Sequence, residues 1–381
     1  MPRWTTPCIA ACWLLARSAI AGPAPAAAGS GSGTACVRCH ETARGVLSGP
    51  MATREGERRF ALQAFGAGGD RFFAESCAGC HVTGCADCHG DDPHRAGRPG
   101  NEACLRCHRG YSVGWEYEGR APREDHARYR RGATDHGEPF LRMLPDVHFE
   151  RGIACAGCHT MSSLQEGKRV GKSCRECHSP SASSPEHAIA GHLEKMTCAA
   201  CHAAWAAQEY GTFLVRPGTE EQKEAFSPLP AWGPWRKSAH LKRQDSPPLG
   251  LDQKGLVSPV RPFFTLLATD PKAGWENRLL AAEWRAVSPH TIRRGTVACG
   301  GCHDNRRRFL LEKDAERLYR LERDGLPLRS YWSRDGQTLV NGSFFPVERF
   351  DRMNARTPEY KRRVVSRWQH LLDLAAPRWK R

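Results

Sequence analysis

The sequence predicts a mainly α fold with much irregular structure and a small β-hairpin near the C-terminus. The 381-residue chain carries 18 cysteines, and most of them recur in a Cys-x-x-Cys-His pattern. Seven of the eight such units lie within the 167 residues from Cys36 to His202. Because so few residues accompany each unit, this stretch cannot bury a conventional hydrophobic core. We therefore expect short helices and long connections wrapped around bound groups.

Residues 1–28 are typical of a secretory signal peptide. A basic residue near the start is followed by an apolar run at 8–21 and by small residues, with cleavage expected after Ala21 or Ala28. We predict export to the periplasm or the extracellular space; an uncleaved N-terminal anchor is the alternative. Cys8 and Cys12 leave with the peptide, so 18 − 2 = 16 cysteines remain. No later stretch has 18 consecutive apolar residues, which predicts no integral membrane span in the mature chain.

All the remaining cysteines belong to Cys-x-x-Cys-His units. Two thiols three residues apart lie on one face of a helical turn, where they can bond the two vinyl groups of a haem. The adjacent His then lies under the iron as its proximal ligand. The sequence therefore predicts eight covalently attached c-type haems. The units are Cys36/Cys39/His40, Cys77/Cys80/His81, Cys85/Cys88/His89, Cys104/Cys107/His108, Cys155/Cys158/His159, Cys174/Cys177/His178, Cys198/Cys201/His202 and Cys299/Cys302/His303.

Zinc ribbons and disulfides are the alternative uses of paired cysteines. Neither requires a His after each pair. His accounts for 17 of 381 residues, so its occurrence after all eight pairs by chance has a probability of about 10⁻¹¹, which favours haem attachment. The predicted export agrees with this interpretation, because covalent haem attachment takes place outside the cytoplasm.

The formal net charge is +15, and a basic chain ordinarily suggests nucleic acid, anionic lipid or an acidic protein as partner. Each haem adds two propionates that its iron offsets only in part, so eight haems cancel much of this excess. We therefore expect no nucleic-acid partner. The expected partners are other redox proteins, cytochromes and a quinol-oxidising membrane complex, which act as electron donors and acceptors.

The chain beyond the signal peptide divides into three parts that differ in how many Cys-x-x-Cys-His units they contain. Residues 29–213 form a heptahaem block, residues 214–298 are rich in Pro, Gly and Trp without a unit, and residues 299–381 carry the eighth unit and a helical cap. The composition of the stretch after His202 predicts irregular packing over the haem block. Only residues 82–84 separate the second and third units, so their porphyrins cannot be far apart.

Three elements are predicted beyond the eighth unit. A helical pattern covers residues 307–322 and stops at Gly325, and a hairpin over residues 328–345 turns at residues 335–336. Thr357 is expected to cap a last helix that begins with Pro358 and docks against the eighth haem. The apolar stripe of this helix consists of Tyr360, Val364, Trp368 and Leu371.

Nine histidines lie outside the units, whereas eight irons need at most eight distal ligands. His370 lies about 200° around the last helix from the apolar stripe, which indicates a solvated surface residue. One candidate then remains for each iron, although a hydrogen-bonded structural role is the alternative for any single His. The candidates are His94, His126, His136, His148, His187, His192, His240 and His290.

Sequence position suggests how some candidates pair with haems. His148, His192 and His290 each precede the first Cys of a unit by six to nine residues. The segments beginning at His148 and His290 look like copies, His-Phe-Glu-Arg-Gly-Ile-Ala-Cys and His-Thr-Ile-Arg-Arg-Gly-Thr-Val-Ala-Cys. We interpret them as a repeat in which the upstream His reaches the iron of a neighbouring haem. His94 lies close to the third unit, and His187 and His192 are expected near the sixth and seventh haems.

The unit count and the segment Asp146-Val-His-Phe-Glu-Arg-Gly-Ile-Ala-Cys-Ala-Gly-Cys-His159 resemble the multihaem c-type cytochromes of bacterial respiration. The octahaem group that includes hydroxylamine oxidoreductase and octahaem tetrathionate reductase is the most similar. The resemblance covers about half of the chain and implies a chain wrapped around packed haems in respiratory electron transport. It is specific for haem attachment rather than for one reaction.

The chain departs from that group in ways that bear on activity. Members that reduce nitrite to ammonia often have Lys in place of the His of the catalytic unit, whereas all eight units here end in His. Hydroxylamine oxidoreductase has a tyrosine crosslinked to its catalytic haem, and nothing in this sequence marks such a residue. Within residues 205–213, Glu209, Thr212 and Phe213 stand at the ligand positions that a further unit has in related cytochromes, so that haem is expected to be absent.

Two functions are compatible with these patterns. The first is electron transfer along haems that each have two His ligands, because closed coordination leaves no place for a substrate. The second is oxidation or reduction of a small nitrogen, sulfur or selenium compound at one haem with an open distal site. The first haem is the candidate for that site, with Arg54, Arg58 and Arg59 able to steer an oxyanion, although a solvated charged face is the favoured interpretation of these arginines. The equal numbers of irons and candidate ligands favour electron transfer.

Overall fold

The computed structural model describes part of the chain. The described residues are 40–76, 81–90, 97–109, 113–122, 133–135, 137–166, 171–181, 184, 186–189, 191–207, 212–227, 229, 231–239, 244–295, 297–313, 334 and 336–375. The predicted signal peptide at 1–28 lies outside them. So do eight predicted haem-binding residues, Cys36, Cys39, Cys77, Cys80, His94, His126, His136 and His240.

Most helices of the described residues have only one or two turns, because a Cys-x-x-Cys-His unit needs a single turn to place its side chains. The α-helices are α1 (Arg44–Leu47), α2 (Pro50–Thr53), α3 (Glu55–Phe65), α4 (Gly69–Ser76), α5 (Ala86–His89), α6 (Asn101–Leu105), α7 (Gly114–Glu118), α8 (Val147–Glu150), α9 (Cys155–Cys158), α10 (Met161–Glu166), α11 (His192–Lys195), α12 (Cys198–His202), α13 (Glu220–Ala225) and α14 (Val347–Ala375). The 3₁₀ helices are Glu41–Ala43, Gly66–Gly68, Cys174–Glu176, Pro271–Ala273, Cys299–Gly301 and Arg306–Phe309.

The fold also contains sheets. The strands are β1 (Arg120–Pro122), β2 (Thr134–Asp135), β3 (Glu138–Arg142), β4 (Ala206–Ala207), β5 (Thr212–Val215), β6 (Ala231–Trp232), β7 (Trp235–Ala239), β8 (Gln244–Asp245), β9 (Leu249–Asp252), β10 (Val257–Asp270), β11 (Trp275–Ala286) and β12 (Gly342–Phe344). The largest sheet has the order β12-β9-β10-β5-β7-β6, with β11 also paired to β10. Smaller sheets have the orders β1-β3-β2 and β4-β8.

The antiparallel pair β10 and β11 is the backbone of the large sheet, and β5 joins β10 as a parallel neighbour. Strand β10 accommodates Pro262 because the register shifts between Pro262 and Phe264, where a missing N–H costs no regular ladder bond. The mainly α prediction therefore missed a sheet. Most of its strands lie in the stretch for which irregular packing was expected, and the predicted domain boundary after Phe213 falls inside β5.

The predicted C-terminal hairpin is only partly described. Its second arm contains β12, which pairs antiparallel with β9. Residues 328–333 of the first arm lie outside the described residues. The helix expected from residue 307 is not found, because the 3₁₀ turn Arg306–Phe309 ends at Leu310 in the left-handed region, with φ 56°. Residues 311–313 have no regular structure, and residues 314–322 lie outside the described residues.

The last helix begins earlier than its sequence signals indicate. Helix α14 runs through Thr357 and Pro358, so the predicted cap is wrong. Thr357 is 2% exposed, and its hydroxyl donates to the carbonyl of Met353, one turn earlier in the same helix. Buried contacts of the first turns, above all Phe350, favour the longer helix over the local start signal. His370 is exposed, as predicted.

The described residues bury three apolar clusters. One cluster joins α3 and α4 to the large sheet and includes Phe60, Phe72 and Leu266. A second joins Ala200 of the seventh unit to Phe309 and to α14. The third lies around Trp284. Within the described residues, every helix is too short or too polar to span a lipid bilayer.

Candidate haem-binding site

Each fully described Cys-x-x-Cys-His unit forms one helical turn. In five of these units a hydrogen bond closes the turn, in which the backbone N–H of the His donates to the carbonyl of the first Cys. The two thiols and the imidazole therefore project from the same helical turn. The distances from His N to Cys O are 2.9 Å for His89, 2.9 Å for His108, 2.9 Å for His159, 2.8 Å for His178 and 2.7 Å for His303. All twelve cysteines of these six units are free thiols.

The structure brings four candidate distal histidines to four unit histidines. In each case the two imidazoles face each other at nearly the same separation. The ring centroids are 5.9 Å apart for His148 and His178, 6.2 Å for His159 and His290, 6.1 Å for His187 and His202, and 6.2 Å for His192 and His303.

This separation is what two imidazoles on opposite sides of one metal ion require. Metal–imidazole bonds are about 2.0 Å long and the ring centroid lies about 1.1 Å beyond the bonded nitrogen, so the two centroids should be about 6.2 Å apart. Ordinary ring contacts cover the same range, from Phe309 and Phe345 at 4.5 Å to Tyr117 and His290 at 6.2 Å. The spacing of the four pairs is therefore compatible with one coordinated ion between the rings but does not require it.

Hydrogen bonds to Nδ1 orient several of these rings and leave Nε2 for a metal. His148 Nδ1 lies 2.8 Å from Asp146 Oδ1, and His202 Nδ1 lies 3.0 Å from the Arg293 carbonyl. His303 Nδ1 lies 3.0 Å from Thr357 Oγ1, and His187 Nδ1 lies 3.3 Å from a backbone carbonyl. Because the Thr357 hydroxyl already donates to Met353, it accepts from His303.

Asp146 links two of the candidate ligands. Its Oδ1 accepts from the backbone N–H of His148 at 2.8 Å as the N-cap of α8, and its Oδ2 accepts from the backbone N–H of Ile292 at 2.7 Å. Ile292 is two residues after His290. The two segments that look like copies in the sequence are therefore held together by one carboxylate, which is 2% exposed.

Burial keeps several of these imidazoles neutral, which is the state that binds a metal. Burial, followed by the charges of His159 and Arg261, lowers the pKa of His290 to about 4. Burial also lowers the pKa of His159, His192 and His303 below the usual range. These rings can ligate at neutral pH without first losing a proton.

The pairings connect units that are distant in sequence. His148, upstream of the fifth unit, faces the sixth-unit His178, and His192, upstream of the seventh unit, faces the eighth-unit His303. His290, upstream of the eighth unit, faces the fifth-unit His159. His187 lies beside the seventh-unit His202 and His192 beside the eighth-unit His303, whereas the sequence suggested positions near the sixth and seventh haems for this pair.

The other four unit histidines are His40, His81, His89 and His108. The candidates His94, His126, His136 and His240 lie outside the described residues. His81 Nε2 is buried and has no hydrogen-bond partner among the residues that the structure describes. An orphaned buried nitrogen fits an atom whose partner is a metal.

Cysteines of consecutive units also meet. The interaction of Cys104 with the Cys155 thiol lowers the pKa of Cys155 to about 7. The interaction of Cys174 with the Cys198 thiol lowers the pKa of Cys198 to about 6 in the same way. These contacts join the fourth unit to the fifth and the sixth unit to the seventh.

Electrostatic interactions between cysteines link further units to these two pairs. Burial, and then Cys104, raise the pKa of Cys88, while burial, and then Cys177, raise the pKa of Cys158. Burial, and then Cys302, raise the pKa of Cys201 to about 11. Six units, from the third to the eighth, thus follow one another in space in the order of the sequence.

All eight unit histidines line one continuous cavity of about 5450 Å³. Ordinary small-molecule pockets have volumes of about 300–1,000 Å³, so this cavity has room for several large groups. Its lining also includes Tyr360, Val364 and Trp368 of the predicted stripe on α14, although Trp368 is still 46% exposed. Two thiols, paired imidazoles and apolar walls are the donor set and surroundings that suit a covalently bound haem.

The three arginines after the first unit take part in ion pairs. Arg54 pairs with Glu57 at 2.8 Å, Arg58 with Asp70 at 2.7 Å, and Arg59 with Glu283 at 3.5 Å. These contacts favour the charged-face interpretation over an oxyanion-steering role.

Sequence reasoning missed the residues that support the ligands. Asp146 could have been found, since Asp two residues before His is a common N-cap arrangement. Thr357, Glu116 and Arg308 carry no local signal, because their partners lie far away in sequence. Comparison of the chain with protein-family models, with curated proteins and with solved structures found no match.

Proposed function

We propose that the chain is a periplasmic octahaem c-type cytochrome that transfers electrons along covalently bound haems, most of them with two His ligands, in respiratory electron transport. The facing imidazoles support the proposal most directly. Four independent pairs have centroids 5.9–6.2 Å apart, a separation that suits two imidazole ligands of one metal ion.

The residues have separate tasks in this proposal. The two cysteines of each unit bond the porphyrin, and the unit His and a distal His bind the iron from opposite faces. Each haem, when bound, supplies an iron that changes between the ferric and ferrous states. The Nδ1 contacts of His148, His202 and His303 fix the ring orientation, and burial of His290 keeps its nitrogen unprotonated.

The order of the attachment cysteines supports a conducting row. The fourth and fifth units are adjacent, since the backbone N–H of Cys155 donates to Asn101 Oδ1 at 2.9 Å in the helix that carries Cys104, and thiols of the sixth and seventh units interact. Porphyrins bonded there would be neighbours, and short separations favour rapid electron exchange. Cytochromes and a quinol-oxidising membrane complex are the proposed donors and acceptors.

The proposal is tested on the purified, mature protein. Pyridine haemochrome analysis should give eight haems per chain, and the intact mass should exceed that of the polypeptide by about 4.9 kDa, at about 0.62 kDa per haem. The ferric spectrum and electron paramagnetic resonance should be low-spin throughout. A colourless protein without an α-band on reduction contradicts the proposal.

The same measurements separate electron transfer from catalysis at an open haem. A distinct high-spin ferric fraction that binds cyanide or nitrite at one iron would identify an oxidoreductase of a small nitrogen, sulfur or selenium compound. Haem-resolved spectra then assign the open site. Low-spin signals that cyanide does not change support electron transfer.

A further inference from the structure

Arg308 is a buried cation between the last two attachment units. It lies in the 3₁₀ turn Arg306–Phe309, just after the eighth unit, and is 4% exposed. Its Nη2 donates to the carbonyl of Ala200 at 3.2 Å, and Ala200 lies between the two cysteines of the seventh unit. The turn that carries it is tied to the eighth unit, because Asn305 accepts from the backbone N–H of Arg308 at 3.2 Å and donates to the carbonyl of Gly301 at 3.1 Å. The guanidinium therefore contacts the seventh unit from a turn that is fixed to the eighth.

The positive charge of Arg308 acts on cysteines of both units. A guanidinium stays protonated in proteins, even when it is buried. Burial raises the pKa of Cys201 and Cys302, and Arg308 opposes that rise at each thiol. The charge is therefore close enough to both sulfur atoms to favour a more negative state there.

The surroundings of Arg308 make this charge effective. Ala200 belongs to an apolar cluster with Phe309, Phe345 and Phe350, and Cys302 packs against the same cluster. Screening is weak in such surroundings, so a charge acts over a longer distance than at the surface. The thioether edge of a haem is also opposite to its propionate edge, which keeps the propionates of the same haem away from the guanidinium.

We propose that Arg308 is a charge-tuning residue that raises the reduction potentials of the haems bound at the seventh and eighth units. The inference rests on the proposed function. An iron gains an electron on reduction, so a fixed positive charge nearby stabilises the reduced state. Arg308 thereby makes this end of the row the place where electrons collect.

The test measures the potential of each haem in the holoprotein. Arg308→Gln removes the charge, and the potentials of two of the eight haems should fall by about 59 mV, which corresponds to a tenfold change in each equilibrium for one electron. Arg308→Lys keeps a charge and should leave both potentials near those of the unmodified protein. A purely structural role would not distinguish Gln from Lys in this way.

Arg306→Gln is the matched control. Arg306 lies in the same turn, but it is half-exposed and pairs with Asp351 at the surface, at 2.8 Å. Its loss should shift no potential appreciably, because solvent screens the charge. Equal shifts in the two Gln variants, or unchanged potentials in Arg308→Gln, overturn the inference.

If Arg308→Gln does not accumulate as holoprotein, the unmodified protein supplies the test. A redox titration followed by haem-resolved magnetic resonance should show the haems of the seventh and eighth units reduced before that of the sixth. Reduction in the opposite order overturns the inference. Haem count and the α-band, measured on every sample, report separately on the proposed function.

Discussion

The ring centroids of His192 and His303 lie 6.2 Å apart, with 28° between the ring planes, although the seventh unit and six of the seven strands of the large sheet separate the two residues in sequence. His192 begins α11, and His303 is held by Thr357 of α14. A residue of the predicted heptahaem block therefore lies beside the His of the eighth unit. In the proposed function, this pair ties the C-terminal part of the chain to the haem row.

Replacement of His192 by Met should alter one haem only. Met in place of a second His raises the potential of a c-type haem, so one of eight potentials should increase while the haem count stays at eight. Redox titration and pyridine haemochrome analysis measure these two quantities. His370→Met is the control, because His370 is exposed on α14 and should leave every potential unchanged. Unchanged potentials in His192→Met would contradict ligation by this residue.

The sequence was sufficient to predict the helical turns of the Cys-x-x-Cys-His units but not which histidines lie beside them. Each unit is a local pattern, since its three side chains share one helical turn. The distal ligands are a matter of tertiary structure. His148 and His290 stood out because they precede similar segments, yet nothing local shows that His148 faces the sixth unit and His290 the fifth.

Local sequence signals also failed to predict the large sheet and the start of the last helix. Pro259 and Pro262 argue locally against a strand, but both lie on a buried stretch of β10, where Pro259 pairs with Leu249 and Pro262 lies beside a register shift. Thr357 and Pro358 are good helix-start residues, yet the contacts of Phe350 extend the helix by three turns towards the N-terminus. Long-range packing decided both elements against their local signals.

Replacement of Thr357 by Val should raise the potential of the haem at the eighth unit. The hydroxyl accepts from His303 Nδ1 at 3.0 Å, which makes the ring a stronger donor to a ferric iron. Val has the same shape without the acceptor, and loss of the bond should also cost about 1 kcal/mol of unfolding free energy. Thr357→Ser keeps the hydroxyl and should retain both values. A potential that is the same in the Val and Ser variants contradicts the assigned role.

His290 should make the free energy of unfolding depend on pH. Burial, followed by His159 and Arg261, lowers its pKa to about 4 in the folded chain, compared with about 6.5 for an exposed imidazole. Between these values the unfolded chain binds a proton and the folded chain does not. The contribution of neutral His290 to the free energy of unfolding is therefore complete above about pH 6.5. This contribution declines as the pH falls towards about 4.

Denaturant unfolding at a series of pH values tests this dependence. Met does not titrate in this range, so the unfolding free energy of His290→Met should fall less between about pH 6.5 and about pH 4 than that of the unmodified protein. The low-spin signal of the fifth haem should persist in the unmodified protein through most of this range. Identical pH slopes in the two proteins would show that His290 is not held neutral by its site.

Glu116 should be essential for both stability and the ligand position of His290. Its Oε1 forms a buried ion pair with Arg261, and its Oε2 accepts from the backbone N–H of His290 at 3.3 Å. Glu116 is 0% exposed and Arg261 is 4% exposed. Glu116→Gln removes one charge of a buried pair, so the unfolding free energy should fall by about 3–5 kcal/mol. A high-spin signal should appear at the fifth haem.

Glu359→Gln is the matched control for Glu116→Gln. Glu359 pairs with Arg363 on the exposed face of α14, where both side chains are more than half exposed. An exposed pair contributes about 0–1 kcal/mol, so this variant should unfold almost like the unmodified protein and stay fully low-spin. If Glu116→Gln loses stability without any spectral change, the ion pair supports the fold alone and does not position the ligand.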